Sequence, residues 1–529
     1  MDSTVLRGAA VVDGTGRPAE PADVLISGDR IAAIAGPGSI PTDGVSRVLD
    51  LSGLTVMPGF IDSHAHSDNA ALLDYTDASK TAQGVTTEIN GNCGFTLAPR
   101  AAENIEGFQS LVRRIFPEHD WCWSTYPQFL EHIAEAGLPT NFASLIGHNT
   151  LRIAAMGLEE RPPSLQERHI MRRELDEALA AGAVGLSTGL VYPPGVYSRT
   201  QEIVELASAL PATAVYASHM RNEGQHLRRS IDETLSVAEQ AGVRCHLSHL
   251  KVADRRQWGA MAEVVEGLHH HRAAGVHITQ DVYPYTAAST MLTALLPPWM
   301  HAGGTRPLLE RLRSAGCREQ IRAQIADPTA DFENYALAAG WENIVVSSSG
   351  TQRYDGASLA QIAHLRGQDP VDALADLLIE EELRATMIMH IMAEEDLQRA
   401  LADPQTMIGS DGLPQGTGGR PHPRAFGSFT RVLDVYVRQR GLLELEEAVR
   451  RMTSLVADTF CLPGRGRVRE GHFADLVAVD LEGLEDRATY AEPQAPPRGI
   501  EHVWLNGEPV VDSGRPTRRR AGRVLRARH

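Results

Sequence analysis

Two segments in the middle of the chain have the same form, Ala217-Ser218-His219-Met220-Arg221 and Leu247-Ser248-His249-Leu250-Lys251. Each continues an apolar run and then places serine, histidine, an apolar residue and a basic residue in the same order. The two histidines are 30 residues apart, which is the length of one strand-helix unit. The repeat therefore predicts two successive strands of a parallel sheet, each ending in a histidine.

The same alternation of strands and helices extends from about residue 55 to about residue 465. Eight apolar runs are predicted as strands: Thr55–Asp62, Thr86–Asn90, Phe142–Ile146, Val184–Ser187, Ala214–Ser218, Arg244–Ser248, His277–Asp281 and Met407–Ser410. Between them, Leu165–Ala181 and Thr200–Leu210 have helical spacing and good helix formers. Eight strands with long connections predict an α/β fold of the (β/α)8 barrel type, although an open doubly wound sheet also fits.

Both ends of the chain differ from the middle, because they consist of short apolar runs joined by hairpin signals such as Asp13-Gly14 and Asn506-Gly507. We therefore expect residues 1–55 and 466–529 to form one small β domain beside a barrel of residues 56–465. Residues 290–345, with a polar helix over Arg306–Ile325, interrupt the alternation and predict an insertion after the seventh strand, as a lid or side module. The six arginines of Arg518–Arg528 predict a solvated basic tail.

Length and composition exclude several classes of protein. The 529 residues carry a formal net charge of −17, which argues against a protein whose whole surface binds nucleic acid. No apolar run approaches the length of about 18 residues that a membrane span needs. Five irregularly spaced cysteines predict no disulfide framework, and no signal peptide is visible, so a reducing cytoplasm is the expected location. The sequence does not predict the oligomeric state, and a homo-oligomer is one of the open alternatives.

Metal-ligating residue types follow five of the predicted strands. His64 and His66 end the first strand, two residues apart and so on the same side of an extended chain. Cys93 lies between glycines after the second strand, and thiolate suits zinc well. Each residue alone has an ordinary structural explanation, such as a buried thiol or a turn aspartate. Together they place one set of ligands at one end of the sheet: His64, His66, Cys93, His219, His249 and Asp411.

The chain resembles the amidohydrolase superfamily and, within it, the D-aminoacylases, which are N-acyl-D-amino-acid deacylases. Two segments carry the general resemblance, Val11–Gly16 and Pro58–His66. Other segments look specific to the D-aminoacylase branch: Gly84–Thr87, Gly91–Gly94, Ser218–Glu223, Asp281–Leu292 and Arg420–Arg424. The resemblance covers nearly the whole chain.

The lysines separate this chain from many binuclear relatives, in which a carboxylated lysine at the end of strand four bridges two metals. Here that strand ends Gly185-Leu186-Ser187-Thr188, and the chain has only two lysines, Lys80 and Lys251. The resemblance implies that Cys93, His219 and His249 hold a tightly bound Zn²⁺. It also implies that His64, His66 and Asp411 line a second, weaker site, with Cys93 able to bridge the two.

The resemblance also implies the reaction. Zinc would lower the pKa of bound water towards about 7, and Asp411 would act as general base and then acid in hydrolysing a small-molecule N-acyl-D-amino acid. Five residues match the family's substrate pocket and would bind the substrate carboxylate: Lys251, Tyr192, Tyr283, Ser289 and Arg420. His148, at the end of strand three, would have a minor supporting role.

Two alternatives stay open. One is another amidohydrolase acting on cyclic amides, of the dihydroorotase or hydantoinase kind, although these usually carry the lysine that is missing here. The other is a non-catalytic scaffold on the same fold. The preferred amino-acid side chain is not predicted.

Overall fold

The computed structural model describes residues 3–114, 116, 119–413 and 419–528. Its strands in chain order are β1 (Ser3–Val11), β2 (Glu20–Ser27), β3 (Arg30–Ala35), β4 (Arg47–Asp50), β5 (Thr55–Pro58), β6 (Phe60–Asp62), β7 (Val85–Asn90), β8 (Asn141–Ser144), β9 (Ile146–Gly147), β10 (Gly185–Gly189), β11 (Val215–His219), β12 (Arg244–Leu247), β13 (Ile278–Val282), β14 (Ala288–Met291), β15 (Ile344–Ser348), β16 (Thr386–Met389), β17 (Thr406–Ile408), β18 (Leu476–Val479), β19 (Ile500–Leu505), β20 (Glu508–Asp512) and β21 (Arg515–Pro516).

The α-helices follow most of the barrel strands and also cover the insertion. They are α1 (Ile105–Val112), α2 (Tyr126–Ala136), α3 (His148–Met156), α4 (Leu165–Ala180), α5 (Thr200–Ala207), α6 (Leu227–Ala241), α7 (Met261–Ala273), α8 (Thr305–Arg313), α9 (Ala315–Ala326), α10 (Tyr335–Ala339), α11 (Leu359–Arg366), α12 (Pro370–Glu380), α13 (Glu394–Ala402), α14 (Arg424–Arg431), α15 (Leu445–Met452) and α16 (Ser454–Thr459). A π-helical segment, Val432–Gln439, continues α14.

The parallel strands of the middle of the chain form a ring. Six lie in the order β17-β13-β12-β11-β10-β9 and three in the order β6-β7-β8. The Leu145 amide, between β8 and β9, donates to the Asn90 carbonyl oxygen at 3.0 Å, so the third strand runs from one sheet into the other. The Ser63 amide donates to the Ile408 carbonyl oxygen at 3.3 Å and joins the last strand to the first. The predicted (β/α)8 fold class is confirmed.

A second sheet combines both ends of the chain. Its order is β21-β20-β19-β18-β5-β1-β2-β3, with β4 beside β1. The contact between the two ends is the antiparallel pair β5–β18, in which Pro58 lies opposite Leu476. Apolar side chains from both ends, including Val56, Leu476 and Trp504, pack in one cluster under this sheet.

The predicted first strand, Thr55–Asp62, is wrong as a single strand. It divides into β5, which belongs to the terminal sheet, and β6, which belongs to the barrel. The break falls at Gly59, where a Cβ atom would collide with the side chain of Thr86. The apolar run therefore passes from one sheet to the other, and only glycine permits that close approach.

The insertion after β13 is longer than the predicted 290–345. Strands β14, β16 and β15 form an antiparallel sheet, and α8 to α12 pack with it around their own apolar cluster. The predicted helix Arg306–Ile325 is two helices, because Ser314 ends α8 and caps the first turn of α9. The chain returns to the barrel at α13, which packs on α7.

The basic tail packs its backbone against the barrel, while five of its six arginines are exposed as the prediction of a solvated tail expects. The amides of Gly522 and Leu525 donate to the carbonyl oxygens of Leu138 and Phe142, at 2.9 and 2.7 Å. The Arg520 guanidinium donates to several backbone carbonyl oxygens, among them that of Leu73 at 2.7 Å. The tail is thus held by backbone hydrogen bonds beside the start of β8 and by one arginine that binds loop carbonyls.

Within the part of the chain that the structure describes, no helix is long and apolar enough to cross a membrane.

Candidate active site

The six predicted ligands lie together at the carboxyl ends of the barrel strands. His64 and His66 follow β6, Cys93 follows β7, and Asp411 follows β17, while His219 ends β11 and His249 follows β12. All six are buried. Three of them, Cys93, His249 and Asp411, have left-handed backbones with φ of 54°, 38° and 46°. Such conformations are costly for residues other than glycine and concentrate at functional sites.

One group of contacts connects β7, β11 and β12. His249 Nε2 lies 2.9 Å from His219 Nδ1 and 3.4 Å from Cys93 Sγ. The other ring nitrogen of His219, Nε2, makes no hydrogen bond among the described residues and lies 3.7 Å from Glu223 Oε2. One donor atom from each of His219, Glu223 and His249 lies within 4.8 Å of the other two.

A second group of contacts connects β6, β7 and β17. His64 Nε2 lies 3.3 Å from Cys93 Sγ, and His66 Nε2 lies 3.2 Å from Asp411 Oδ1. Cys93 therefore contacts both groups. One donor atom from each of His64, Cys93, His249 and Asp411 lies within 4.8 Å of the other three.

These residues fit zinc by their donor chemistry. Zinc takes thiolate sulfur, imidazole nitrogen and carboxylate oxygen, commonly four at a time. Burial raises the pKa of the Cys93 thiol, but His64 and His249 outweigh it and hold the pKa well below its ordinary value. The thiolate is the form that binds metal. A buried thiolate beside three imidazoles and a carboxylate is a donor set suited to a metal cation.

Behind the ligands lies Asp281, which sequence reasoning did not select. Its Oδ2 is 2.6 Å from His246 Nε2 and 3.3 Å from His64 Nδ1, and its Oδ1 accepts from the His249 amide at 2.9 Å. A carboxylate behind a ligating imidazole sets its orientation and tautomer. The signal that could have found it is its position at the end of the seventh strand, where the other strands place their ligands.

Lys251, which is predicted to bind substrate, lines the cavity above the site and is ion-paired. Its Nζ lies 2.8 and 2.9 Å from the two carboxylate oxygens of Glu223, and Glu223 Oε1 lies 3.0 Å from His249 Nδ1. Burial raises the pKa of Glu223, but Lys251 and His249 outweigh burial and lower the pKa to about 2. Glu223 thus supports His249 as an anion.

The other lysine, Lys80, supports the first and last strands from below. Its Nζ lies 2.5 Å from Asp62 Oδ2 and also contacts Ser410 Oγ. Asp62 Oδ1 accepts from the amides of His64 and Ser410, at 3.1 and 2.8 Å. Both lysines of the chain are thus buried in ion pairs beside ligand loops, and strand four, β10, has none.

In the segment Arg420–Arg424, the arginine that reaches the cavity is Arg424 and not the predicted Arg420. Arg420 is exposed, and its amide donates to Ser347 in the insertion; among the described residues it does not line the cavity. Arg424 does, because it begins α14 and is buried. Its Nη1 lies 2.8 Å from Asp411 Oδ2, and its Nη2 donates to the Ser289 carbonyl oxygen at 2.9 Å.

The remaining predicted substrate residues, Tyr192, Tyr283 and Ser289, line the same cavity. The Tyr192 hydroxyl lies 2.8 Å from Thr290 Oγ1, and the Tyr283 hydroxyl donates to Met392 Sδ at 3.6 Å.

His148 is absent from the described lining and instead lies 2.9 Å from Glu202 Oε1. The cavity has a volume of about 670 Å³, its open mouth included, and residues of the insertion form part of its wall.

Comparison with known proteins gives matches over almost the whole chain. The profile of the amidohydrolase family matches residues 47–511. Three curated proteins of Alcaligenes xylosoxydans xylosoxydans are similar: a D-aminoacylase, 36% identical over 98% of this chain and 97% of its own length; an N-acyl-D-aspartate deacylase, 35% over 98% and 94%; and an N-acyl-D-glutamate deacylase, 36% over 99% and 96%.

Solved structures agree with these matches. A structure of D-aminoacylase concerned with its binuclear metal centre is 35% identical, with a TM-score of 0.83 over 99% of both chains. The N-acyl-D-glutamate deacylase of Bordetella bronchiseptica, complexed with zinc and a phosphonate that mimics the tetrahedral intermediate, is 32% identical, with a TM-score of 0.80 over 100% of both chains. L-hydantoinase from Arthrobacter aurescens, 16% identical with a TM-score of 0.57, shares the fold alone.

Proposed function

Since the chain belongs to the amidohydrolase family, and within it to the D-aminoacylases and N-acyl-D-amino-acid deacylases, we propose that it hydrolyses N-acyl-D-amino acids. The reaction cleaves the amide C–N bond, forms a C–O bond with water, and yields a carboxylate and a free D-amino acid. It is metal-dependent, and the donor set of the site suits zinc. The observation that carries the proposal is the convergence of Cys93, His219, His249 and Asp411 beneath one cavity.

Within this function, we assign Cys93, His219 and His249 to a tightly held zinc ion. His64, His66 and Asp411 form a second position, and Cys93 reaches both. When bound, zinc supplies Lewis acidity, which polarises an amide carbonyl and lowers the pKa of water. Glu223 and Asp281 hold the imidazoles in the orientation that leaves their donor nitrogens facing Cys93.

We propose that Asp411 carries the proton. Burial raises its pKa, but Arg424 and the neighbouring histidines outweigh burial and hold the pKa well below its ordinary value. The carboxylate is therefore ionised and can accept a proton from the attacking water. The same proton is then delivered to the leaving nitrogen. Arg424 pairs with Oδ2 and leaves Oδ1 beside His66.

The carboxylate of the substrate needs a cationic partner inside the cavity. Lys251 Nζ lies 5.8 Å and Arg424 Cζ 4.5 Å from the centroid of the Tyr283 ring, so the two cations flank one tyrosine. Ser289 lies on the same wall, where its carbonyl oxygen accepts from Arg424. We propose that this wall binds the α-carboxylate, with Arg424 in the role that the sequence suggested for Arg420.

The proposal is tested by assaying the purified, zinc-loaded protein on N-acetyl-D-amino acids, their L-forms and cyclic amides, together with its metal content. We expect free D-amino acid to be released only by the metal-loaded protein, and L-forms and cyclic amides to be poor substrates. Turnover of cyclic amides alone would overturn the proposal. A protein that contains no zinc and gains no activity on adding it would indicate a scaffold without catalysis.

A further inference from the structure

Sequence identity does not decide which amino acid this protein prefers. The three curated relatives are 36%, 35% and 36% identical to it, yet their names assign them different substrates. Two act on substrates whose side chains carry a second carboxylate, aspartate and glutamate. An enzyme for those substrates must neutralise two anionic groups in one cavity, whereas an enzyme for apolar side chains must neutralise one.

The cations of the cavity account for one carboxylate. Among the described residues, only Lys251 and Arg424 line it as permanent cations. Both approach the same tyrosine ring, so they serve one wall rather than two. Each also carries an internal partner, Glu223 for Lys251 and Asp411 for Arg424, which leaves little positive charge for a second anion.

The undescribed positions that adjoin the lining residues Phe116 and Leu413 in sequence include no lysine or arginine. Residues 414–418 are Pro-Gln-Gly-Thr-Gly, and residues 115, 117 and 118 are Ile, Pro and Glu. A neighbouring cavity does contain arginines, Arg161, Arg199, Arg221 and Arg229, but none of them lines the first cavity. Tyr192 and Met291 line both cavities and lie between them.

Much of the remaining cavity wall is apolar, although the hydroxyl residues Ser289, Thr290, Tyr335 and Thr386 also line it. Its apolar residues are Phe95, Phe116, Met291, Met389 and Leu413. The centroids of the Phe95 and Tyr192 rings are 5.5 Å apart. An apolar side chain gains by leaving water for such a surface. A carboxylate placed there would lose its hydration without gaining a cation.

We propose that this protein prefers N-acyl-D-amino acids with uncharged, apolar side chains and discriminates against the D-aspartyl and D-glutamyl substrates. This inference rests on the proposed function and adds its substrate class. The α-carboxylate takes the wall of Lys251, Tyr283 and Arg424, and the side chain of the substrate takes the wall of Phe116, Met291, Met389 and Leu413.

The test compares kcat/KM of the zinc-loaded wild-type protein for N-acetyl-D-methionine and N-acetyl-D-leucine with that for N-acetyl-D-aspartate and N-acetyl-D-glutamate. We expect the apolar substrates to be favoured by about 100-fold or more, because the acidic ones leave a carboxylate unpaired. A preference for either acidic substrate would overturn the inference and leave the deacylase function standing. No turnover of any of the four would overturn the proposed function itself.

A charge introduced into the apolar wall should shift this preference. Met291→Arg supplies a cation on a chain of similar length, and Met291→Gln is the matched uncharged control. We expect Met291→Arg to raise kcat/KM for the acidic substrates relative to N-acetyl-D-methionine by about tenfold or more, whereas Met291→Gln lowers the methionine rate without this shift. Leu413→Arg, with Leu413→Gln, repeats the test at a second position if the first variant does not fold. An equal shift with arginine and glutamine would contradict the charge argument.

Discussion

The two halves of the barrel mouth use the same residue types in opposite arrangements. The β11–β12 half consists of His219, His249, Glu223 and Lys251, and the β6–β17 half consists of His64, His66, Asp411 and Arg424. Each half has two histidines, one carboxylate and one cation that neutralises the carboxylate. In the first half the carboxylate lies against His249 Nδ1 and shares a group of donor atoms with His219 and His249, whereas in the second it shares a group that includes the thiol of Cys93.

We infer from this difference that Glu223 helps to hold a metal ligand in place, whereas Asp411 moves a proton. Glu223 lies 3.0 Å from His249 Nδ1, the ring nitrogen that does not face Cys93, so it can fix the ring but cannot reach the same position as the metal through that contact. Asp411 shares a cluster of donor atoms with His64, Cys93 and His249, so it can contact whatever occupies the centre. We expect the first half to determine metal affinity and the second to determine the rate of the chemical step.

Cys93 belongs to both halves, so Cys93→Ala should have the largest effect. We expect zinc content to fall and kcat/KM to decrease by about 10³-fold or more, because Lewis-acid stabilisation is lost with the metal. Elemental analysis of the purified variant and its rate on N-acetyl-D-methionine measure both. Cys245→Ala is the matched control, since Cys245 is a buried thiol inside β12 and its removal should leave zinc in place. A Cys93→Ala variant that keeps zinc and activity would show that the two halves do not depend on this thiol.

Asp411→Asn should separate the halves most clearly. We expect kcat to decrease by about 10² to 10³-fold, because the amide cannot accept the proton, while the tightly bound zinc stays. His249→Ala, compared in the same assay, should lose zinc as well as activity. If Asp411→Asn loses zinc in proportion to its activity, Asp411 serves mainly as a ligand and the proposed division between the halves is wrong.

Lys251→Met tests whether the cation of the β11–β12 half also binds substrate. We expect kcat/KM to decrease by about 10 to 100-fold through loss of the carboxylate partner. The free energy of unfolding should also fall by about 3 kcal/mol or more, because Glu223 is left as a buried unpaired charge. Thermal and denaturant unfolding with zinc present measure the second effect.

The double variant Lys251→Met with Glu223→Gln distinguishes the two roles. It removes the unpaired charge, so stability should recover while kcat/KM stays low. Recovery of kcat/KM together with stability would mean that Lys251 acts only by supporting Glu223 and His249, whose Nδ1 lies 2.7 Å from its Nζ.

Arg420→Ala should have the smallest effect, with kcat/KM within about twofold of wild type, since exposed side chains contribute little. Arg424→Met, at the other end of the same Arg-Pro-His-Pro-Arg motif, should reduce kcat/KM by at least about tenfold, because the cation beside Asp411 and Tyr283 is lost. Equal losses for both variants would return Arg420 to the site and would weaken the symmetry between the two halves.

Much of this arrangement could be predicted because strands order their residues locally. Ligand types at the carboxyl ends of five of the eight apolar runs were enough to anticipate which six side chains meet, since parallel strands bring those ends to one edge. The lysine count excluded a lysine bridge at strand four directly. Asp281 satisfied the same rule at the end of strand seven, so it was within reach of the sequence.

Other features depended on contacts between distant residues. No sequence pattern predicts that Lys251 pairs with Glu223, or that Lys80 contacts Asp62 and Ser410. The sequence contained Arg420 and Arg424 in one short motif and could not rank them, because burial of the second depends on where α14 begins. The basic tail lies on the barrel through backbone carbonyls, which composition does not reveal.

By itself, the sequence of this protein determined the eight strands, the ligand types at their ends and the absence of a lysine at the fourth. These follow from short-range patterns of apolar and polar residues, which set how each segment folds. Only the tertiary structure decided which cations reach the cavity, which of them are already neutralised, and that much of the remaining wall is apolar. Those properties arise where the insertion meets the barrel mouth, from side chains brought together over hundreds of residues, and they are the ones on which substrate choice depends.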